Sequence, residues 1–325
     1  IFFFVIGCEL KHEFALGTLS NPRIAAVPIG AALGGMVVAA GIFITFNYGT
    51  PAQAAWGLPI STDVAFALAV LAIAGKRLPI ELRSFLLTLA VVNDLGAIVV
   101  IAIFYGHSFY LSWFLIAAFS LAVFGLLQSR KVTSLWIFLP LALIIWYAMF
   151  RSGIHATIAG VILALIIPTN KGNKISPLEK LEHRLAKPVS FLIMPLFALV
   201  NTAIVLNVEV LGSLSSRVSL GIGFGLILGK VIGISLFAYI AIQLGWSVMP
   251  IHCNAKHIIG AGFLAGIGFT MSIFIALLSF SDLQTQTTAK LAILVASIIS
   301  GMIGFAILRT TKDSAQTAEP TTVQL

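Results

Sequence analysis

The chain has 325 residues, of which 59% are hydrophobic and only 9% charged, and its mean hydropathy is +1.08. Soluble globular domains carry about 25% charged residues, so this composition excludes an ordinary water-soluble fold and predicts a polytopic membrane protein. The net charge of +8 does not argue for a nucleic-acid partner, because the basic residues sit in short loops, where they report orientation in the bilayer.

The chain starts at Ile1 inside an apolar run, with neither Met nor the shape of a signal peptide, and the expectation is a chain lacking its natural N-terminus. Apolar runs then predict one partial span over 1–9 and ten whole ones, over 24–47, 57–74, 82–105, 111–127, 134–149, 153–168, 188–206, 218–242, 257–280 and 288–308. Fifteen of the 19 basic residues fall on one side of the layer, in the even-numbered loops and next to the two ends. Arg151, Arg217 and Lys290 fall on the other, and Lys230 lies inside a span. The positive-inside rule therefore puts the C-terminus in the cytoplasm, and residues 312–325, polar and Thr/Ala/Gln-rich, predict a disordered tail. Cys8 and Cys253 are far apart and form no CxxC, so neither a disulfide framework nor a zinc site is expected.

Of the 11 acidic residues, only Asp63 and Asp94 lie well inside spans. Asp94 follows Asn93 in the middle of the 82–105 run, roughly 18 Å in from Leu82 and near the centre of a hydrocarbon layer about 30 Å thick. A charge there costs roughly 2.5–3.5 kcal/mol on insertion scales, which makes an intramembrane carboxylate a candidate site. Lys230 is the one base at comparable depth. His155, near the start of a span, predicts a buried histidine satisfied by a helix neighbour.

Two spans carry helix-breaking sequence. In Leu58-Pro59-Ile60-Ser61-Thr62-Asp63, Pro59 removes a backbone donor, and a break near Thr62 would let this short span still cross. In the other, Gly260, Gly262, Gly266 and Gly268 weaken the helix ahead of Thr270. Spans 1–2–3 and 8–9–10 are then triplets, each with an interrupted centre and an ionisable residue in a flanking span. Their seven-span offset is odd, so they enter from opposite faces, the inverted repeat of secondary transporters with a midplane site. The first repeat runs over 24–105 and the second over 218–308, with intervening helices over 111–206.

A hard monovalent cation such as Na⁺ wants oxygen ligands, at least one of them anionic, and Asp94, Asp63, Thr62 and unwound carbonyls offer that set. Desolvation makes Na⁺ and H⁺ compete for one Asp94 carboxylate. No GxxxxGK[ST] phosphate loop occurs, so an ion gradient is the expected energy source, with no cofactor beyond the transported ions and no enzymatic activity.

Across essentially its whole length the chain resembles the NhaA-type Na⁺/H⁺ antiporters, a family that is itself a common example of the inverted-repeat architecture. The resemblance is carried by Gly7-Cys-Glu9-Leu-Lys11-His-Glu13, Thr62-Asp63-Val-Ala-Phe-Ala-Leu68, Asn93-Asp94-Leu-Gly-Ala97 and Ser152-Gly-Ile-His155-Ala-Thr-Ile-Ala-Gly160. It continues in Leu181-Glu182-His183, Gly229-Lys230 and Gly266-Ile-Gly-Phe-Thr-Met-Ser-Ile-Phe274. It implies an all-α fold with two crossed, discontinuous helices in a bacterial inner membrane, a homodimer, and exchange of cytoplasmic Na⁺ or Li⁺ for external H⁺. It further implies a cation site at Asp94, Thr62 and Asp63, with Asp63 compensating helix-end dipoles. A cytoplasmic pH-sensing cluster of Glu9, Lys11, Glu13, Glu182 and His183 is also implied, although by sequence alone these residues read as solvated loop charges.

One position departs from the family, which has two adjacent aspartates where this chain has Asn93-Asp94. The missing carboxylate would have partnered Lys230, leaving that lysine neutral, or paired with Asp94 and displaced by the cation. An Asn-Asp pair resembles that of electroneutral antiporters, which implies one-for-one exchange; the alternatives are a weak, inactive or sensing paralogue and a Na⁺-coupled symporter of related fold.

Overall fold

The computed structural model describes residues 1–75, 78–106, 109–130, 134–169, 176–204, 208–245 and 252–311, apart from the side chains of Arg23 and Leu135. Lys76, Arg77, Lys131, Lys171, Lys174 and the predicted tail over 312–325 lie outside the described residues.

Among the described residues every regular element is helical. Helices α1 (Phe2–Ala15) and α2 (Pro22–Asn47) lead to 3-10 turns at Pro51–Ala55 and Leu58–Ile60, an extended link through Ser61–Asp63, and α3 (Val64–Ala74). Then come α4 (Ile80–Phe104), α5 (Leu111–Ser129), α6 (Leu135–Arg151) and α7 (Ala156–Ile166). Helix α8 (Pro177–Pro188) passes through a π turn, Val189–Ile193, into α9 (Met194–Thr202), and α10 (Val208–Gly212) is a short turn. Helix α11 (Arg217–Phe224) passes through a second π turn, Gly225–Gly229, into α12 (Lys230–Gln243). The chain closes with α13 (Ala255–Ala265), α14 (Phe269–Ser279) and α15 (Leu283–Thr310).

Among the described residues six helices are long and apolar enough to cross a membrane, and two further candidate spans are bent pairs, Pro51–Ile60 with Val64–Ala74 at 45° and Ala255–Ala265 with Phe269–Ser279 at 43°. Trp136–Arg151 and Ala156–Ile166 are shorter apolar helices. The six helices and two bent pairs correspond to eight of the ten predicted whole spans, the runs 134–149 and 153–168 fall on the two shorter helices, and both bends fall at the predicted breaks.

The largest difference from the sequence reading lies at 177–187, read as a charged loop ahead of the 188–206 span. The segment is helical, opened by a capping box in which Ser176 accepts from Glu179 N and Glu179 accepts from Ser176 N. Its charges therefore form a polar helix that precedes the apolar segment. Pro188, which has no N–H to donate, sits at the junction with the π turn.

The described chain divides into two compact units. One comprises Ile1–Ser20 with Asp94–Val200. Its core gathers Cys8, Phe124, Ile145, Met149, Leu163 and Leu178. Helices α1 and α7 approach closely there, because Gly160 faces the backbone of Phe4 and Gly7 faces Val161.

The other unit comprises Asn21–Asn93 with Asn201–Leu325. Here α2 packs antiparallel along α11–α12: Gly34 meets Phe237 and Gly233, Ala39 meets Gly229 and Gly225, and Asn47 reaches Gly221 and Arg217. A Cβ at Gly229 would lie 2.7 Å from Ala39 Cα, so the four-residue spacing of Gly221, Gly225, Gly229 and Gly233 lets the two backbones touch. Helix α2 and the α11–α12 segment thus run in opposite directions.

Candidate functional site

Where the two bent spans cross, each interrupts its helix at the other. Ser61 and Asp63 are extended, and the backbone groups released there are satisfied across the crossing. Asp63 N donates to Ile267 O at 2.6 Å, and Thr62 Oγ1 donates to Ala265 O at 2.7 Å. The second break needs glycine, since a Cβ on Gly266 would collide with Leu226 O and Ser300 Oγ. Ser272 Oγ donates to Leu58 O at 2.8 Å and lies 3.0 Å from Ser61 Oγ, fastening the far side of the crossing.

Asp63 is 2% exposed and caps two helices at once. One carboxylate oxygen accepts from Phe66 N, at the start of α3, at 3.3 Å. The other accepts from Thr270 N at 3.2 Å and Thr270 Oγ1 at 2.6 Å, at the start of α14. Each helix N-terminus presents roughly half a positive charge, so an ionised carboxylate at this position would face both.

Thr62 is the hub of the opposite side. Its one hydroxyl proton goes to Ala265 O, so its lone pairs can only accept, from Asn93 Nδ2 at 2.9 Å and Lys230 Nζ at 3.3 Å. That fixes the orientation of the Asn93 amide: its NH₂ faces Thr62, and its Oδ1, fully buried, makes no hydrogen bond among the described residues. Lys230 is also fully buried and donates to Ile60 O, the last carbonyl before the first break. Gly35 leaves room for its stem, which passes close by on the α2 side. The structure thus brings Thr62, Asn93 and Lys230 together and sets Asp63 with Thr270 across the same break. Asp94, the next residue along α4, is 4% exposed. Among the described residues no three His, Cys, Asp or Glu side chains gather as a resident metal would require. The oxygens at the crossing come from hydroxyl, amide, carboxylate and carbonyl groups, which suit a hard cation in transit.

The residues assigned to pH sensing fall on α1 and α8. Glu13 is buried and accepts from Thr18 N at 2.7 Å, closing the turn after α1. Lys11 donates to Leu165 O at 2.7 Å and to Ile167 O, capping the last turn of α7. Glu9, on the polar half of α1, is pushed up to about 7 by burial and by the neighbouring Glu182 carboxylate. Glu182, in the charged turns of α8, is itself raised, mainly by burial, against the opposing influence of His12 and His183. His155, half-buried at the N-terminus of α7, bonds through Nε2 to Tyr105 O.

Sequence reasoning places Ser61 at the break, as able to satisfy freed backbone groups, but missed Ser272 and the carbonyls of Ile60, Ala265 and Ile267. A lone hydroxyl carries no motif, and a carbonyl has no residue type to recognise.

The sequence model of the Na⁺/H⁺ antiporter 1 family matches residues 1–308. The chain is 46% identical to Na⁺/H⁺ antiporter NhaA 2 of Flavobacterium johnsoniae, over 95% of this chain and 76% of that protein. It is 47% identical to the Na⁺/H⁺ antiporter NhaA of Cytophaga hutchinsonii, over 96% and 80%. With the NhaA of Dechloromonas aromatica the identity is 48%, over 94% and 79%. This multi-pass membrane chain, with its two crossed and interrupted helices, belongs to the Na⁺/H⁺ antiporter 1 family.

Proposed function

We propose that the protein exchanges cytoplasmic Na⁺ or Li⁺ for external H⁺ across a bacterial inner membrane, by alternating access at the Asp94 carboxylate. The observation that carries this reading is the crossing itself: a buried hydroxyl, amide and carboxylate set around two helix breaks, in a chain whose relatives are named Na⁺/H⁺ antiporters. A carboxylate in a desolvated setting takes either a proton or a cation, so each ion displaces the other. Thr62 and Asp63 are the further members of the site, and Asn93 and Lys230 hold Thr62 in place. The α1–α8 cluster of Glu9, Glu13, Glu182 and His183, with Lys11, tunes the response to cytoplasmic pH. The working form is a homodimer.

Asn93 sets the stoichiometry. An amide has no proton to exchange, and Lys230 is engaged with Ile60 O and Thr62, which leaves Asp94 as the one exchanging group and the cycle one-for-one. The test is Na⁺ uptake into proteoliposomes with the membrane potential clamped at several values. Uptake independent of potential is expected, and net current on Na⁺ addition, matching two protons per Na⁺, refutes it. The same geometry favours one other reading, a weakly active paralogue, because Asn93 also occupies an acceptor position of Thr62. Transport restored by Asn93→Asp in a silent parent supports that reading; robust parent transport refutes it.

A further inference from the structure

The second bent span begins with a helix cap that only a neutral histidine can make. At the start of α13, Asn254 Oδ1 accepts from His257 N at 3.1 Å, and His257 Nδ1 accepts from Asn254 N at 3.1 Å. This is a reciprocal capping box, with histidine where Glu or Gln ordinarily stands. A backbone N–H can only donate, so Nδ1 must carry a lone pair and the ring proton sits on Nε2. Protonation of Nδ1 turns the acceptor into a second donor facing Asn254 N–H, and it adds positive charge to a helix N-terminus, where the dipole opposes it.

His257 is fully buried. Helix α13 packs against α12, α15 and α3. Helix α3 carries no titratable residue; α12 carries Lys230, engaged at the crossing, and the exposed Tyr239. Helix α15 carries Lys290 and Arg309, with Asp282 as its N-cap. Gly260, one turn beyond His257, faces Leu308, which puts Arg309 rather than Lys290 or Asp282 at the His257 end. Lys256 is the neighbour on α13 itself.

The other end of α13 reaches the site. The helix is 11 residues, about 16 Å, and its last residue supplies Ala265 O to Thr62; Ile267 O, just beyond, accepts from Asp63 N. Phe263 O is held by Ser300 Oγ at 2.7 Å.

We propose that His257 is a pH-responsive positioning residue: neutral, it caps α13 and holds the second break against Thr62 and Asp63, and protonated, it opens the cap. As regulation of the site this rests on the antiport reading, but the cap is tested without transport. The experiment is hydrogen–deuterium exchange of peptides spanning 254–260 in the full chain at pH 8 and pH 5.5, after correction for intrinsic exchange. Losing an N-cap changes helix opening by about fivefold, so the parent is expected to lose about that much protection on acidification. His257→Gln, which keeps the capping box but cannot gain a proton, is expected to keep its protection at both pH values. Equal pH dependence in parent and variant, or none in the parent, overturns the proposal. Ring ¹⁵N NMR of the parent gives an independent reading: an Nε2–H tautomer at pH 8 supports it, and an Nδ1–H tautomer overturns it.

Discussion

Substituting Gly233 by Ala tests whether the close contact of α2 and α12 positions Lys230. A Cβ at Gly233 would lie 2.5 Å from the Gly34 carbonyl carbon and 2.7 Å from Gly35 Cα, and nearer still to Gly34 O. Ordinary contact is about 3.5–4 Å, so the helices must part locally by about 1 Å, and the obstructing atoms are backbone that cannot rotate away. Overpacking of this kind costs about 1–3 kcal/mol, and the rigidity of the obstruction argues for the upper part of that range. Gly223 is the control: a Cβ there meets nothing within 4 Å, and Gly→Ala in an open helix position is stabilising by about 0.4–1 kcal/mol. Thermal unfolding of the purified proteins in one detergent should therefore place Gly233→Ala clearly below the parent and Gly223→Ala at or above it. Transport should fall in Gly233→Ala as well, since Lys230 lies one turn away on the same helix. Gly233→Ala matching Gly223→Ala in stability would refute the account of the interface.

At the crossing, Asp63→Ala leaves Thr270 N and Oγ1 without their acceptor in a buried site, at about 1–3 kcal/mol for each group, whereas Asp63→Asn keeps an acceptor and loses only the charge. Melting curves should rank parent, Asp63→Asn and Asp63→Ala in falling order; equal melting of the two variants contradicts the double cap. For the α1–α8 cluster, Glu9 is raised to about 7, against about 4.3 for an unfolded glutamate, so the folded chain holds an extra proton between those values. Its contribution to stability is therefore lost as pH rises from about 4.3 to about 7 and stays lost above. Glu9→Gln should melt higher than the parent at pH 8 and converge with it below about pH 5; a constant difference across that range refutes the burial of Glu9 beside Glu182.

Much of this was legible in the chain because membrane burial simplifies the code. Asp63, Asp94 and Lys230 stand out where almost every neighbour is apolar, and Pro59 with Gly266 and Gly268 marked both breaks. The partners were harder to see. Nothing in the sequence says that Thr62 spends its only proton on Ala265 O, and that single bond decides which way Asn93 faces. The charged stretch at 177–187 read as loop because polarity was weighed above the Ser176–Glu179 capping signal, which was present in the sequence. The Gly221, Gly225, Gly229 and Gly233 spacing was likewise available but passed over for the glycines at 260–268. Lys11 and Glu13 read as solvated charges, since no sequence pattern shows that they cap α7 and close the turn after α1.

The central claim, exchange at one buried carboxylate, is tested most directly by Na⁺-driven dissipation of a pH gradient in proteoliposomes, comparing the parent with Asp94→Asn. Dissipation in the parent and none in a folded Asp94→Asn variant is the expected result. Equal dissipation in both, or none in a folded parent between pH 6 and 9, contradicts it.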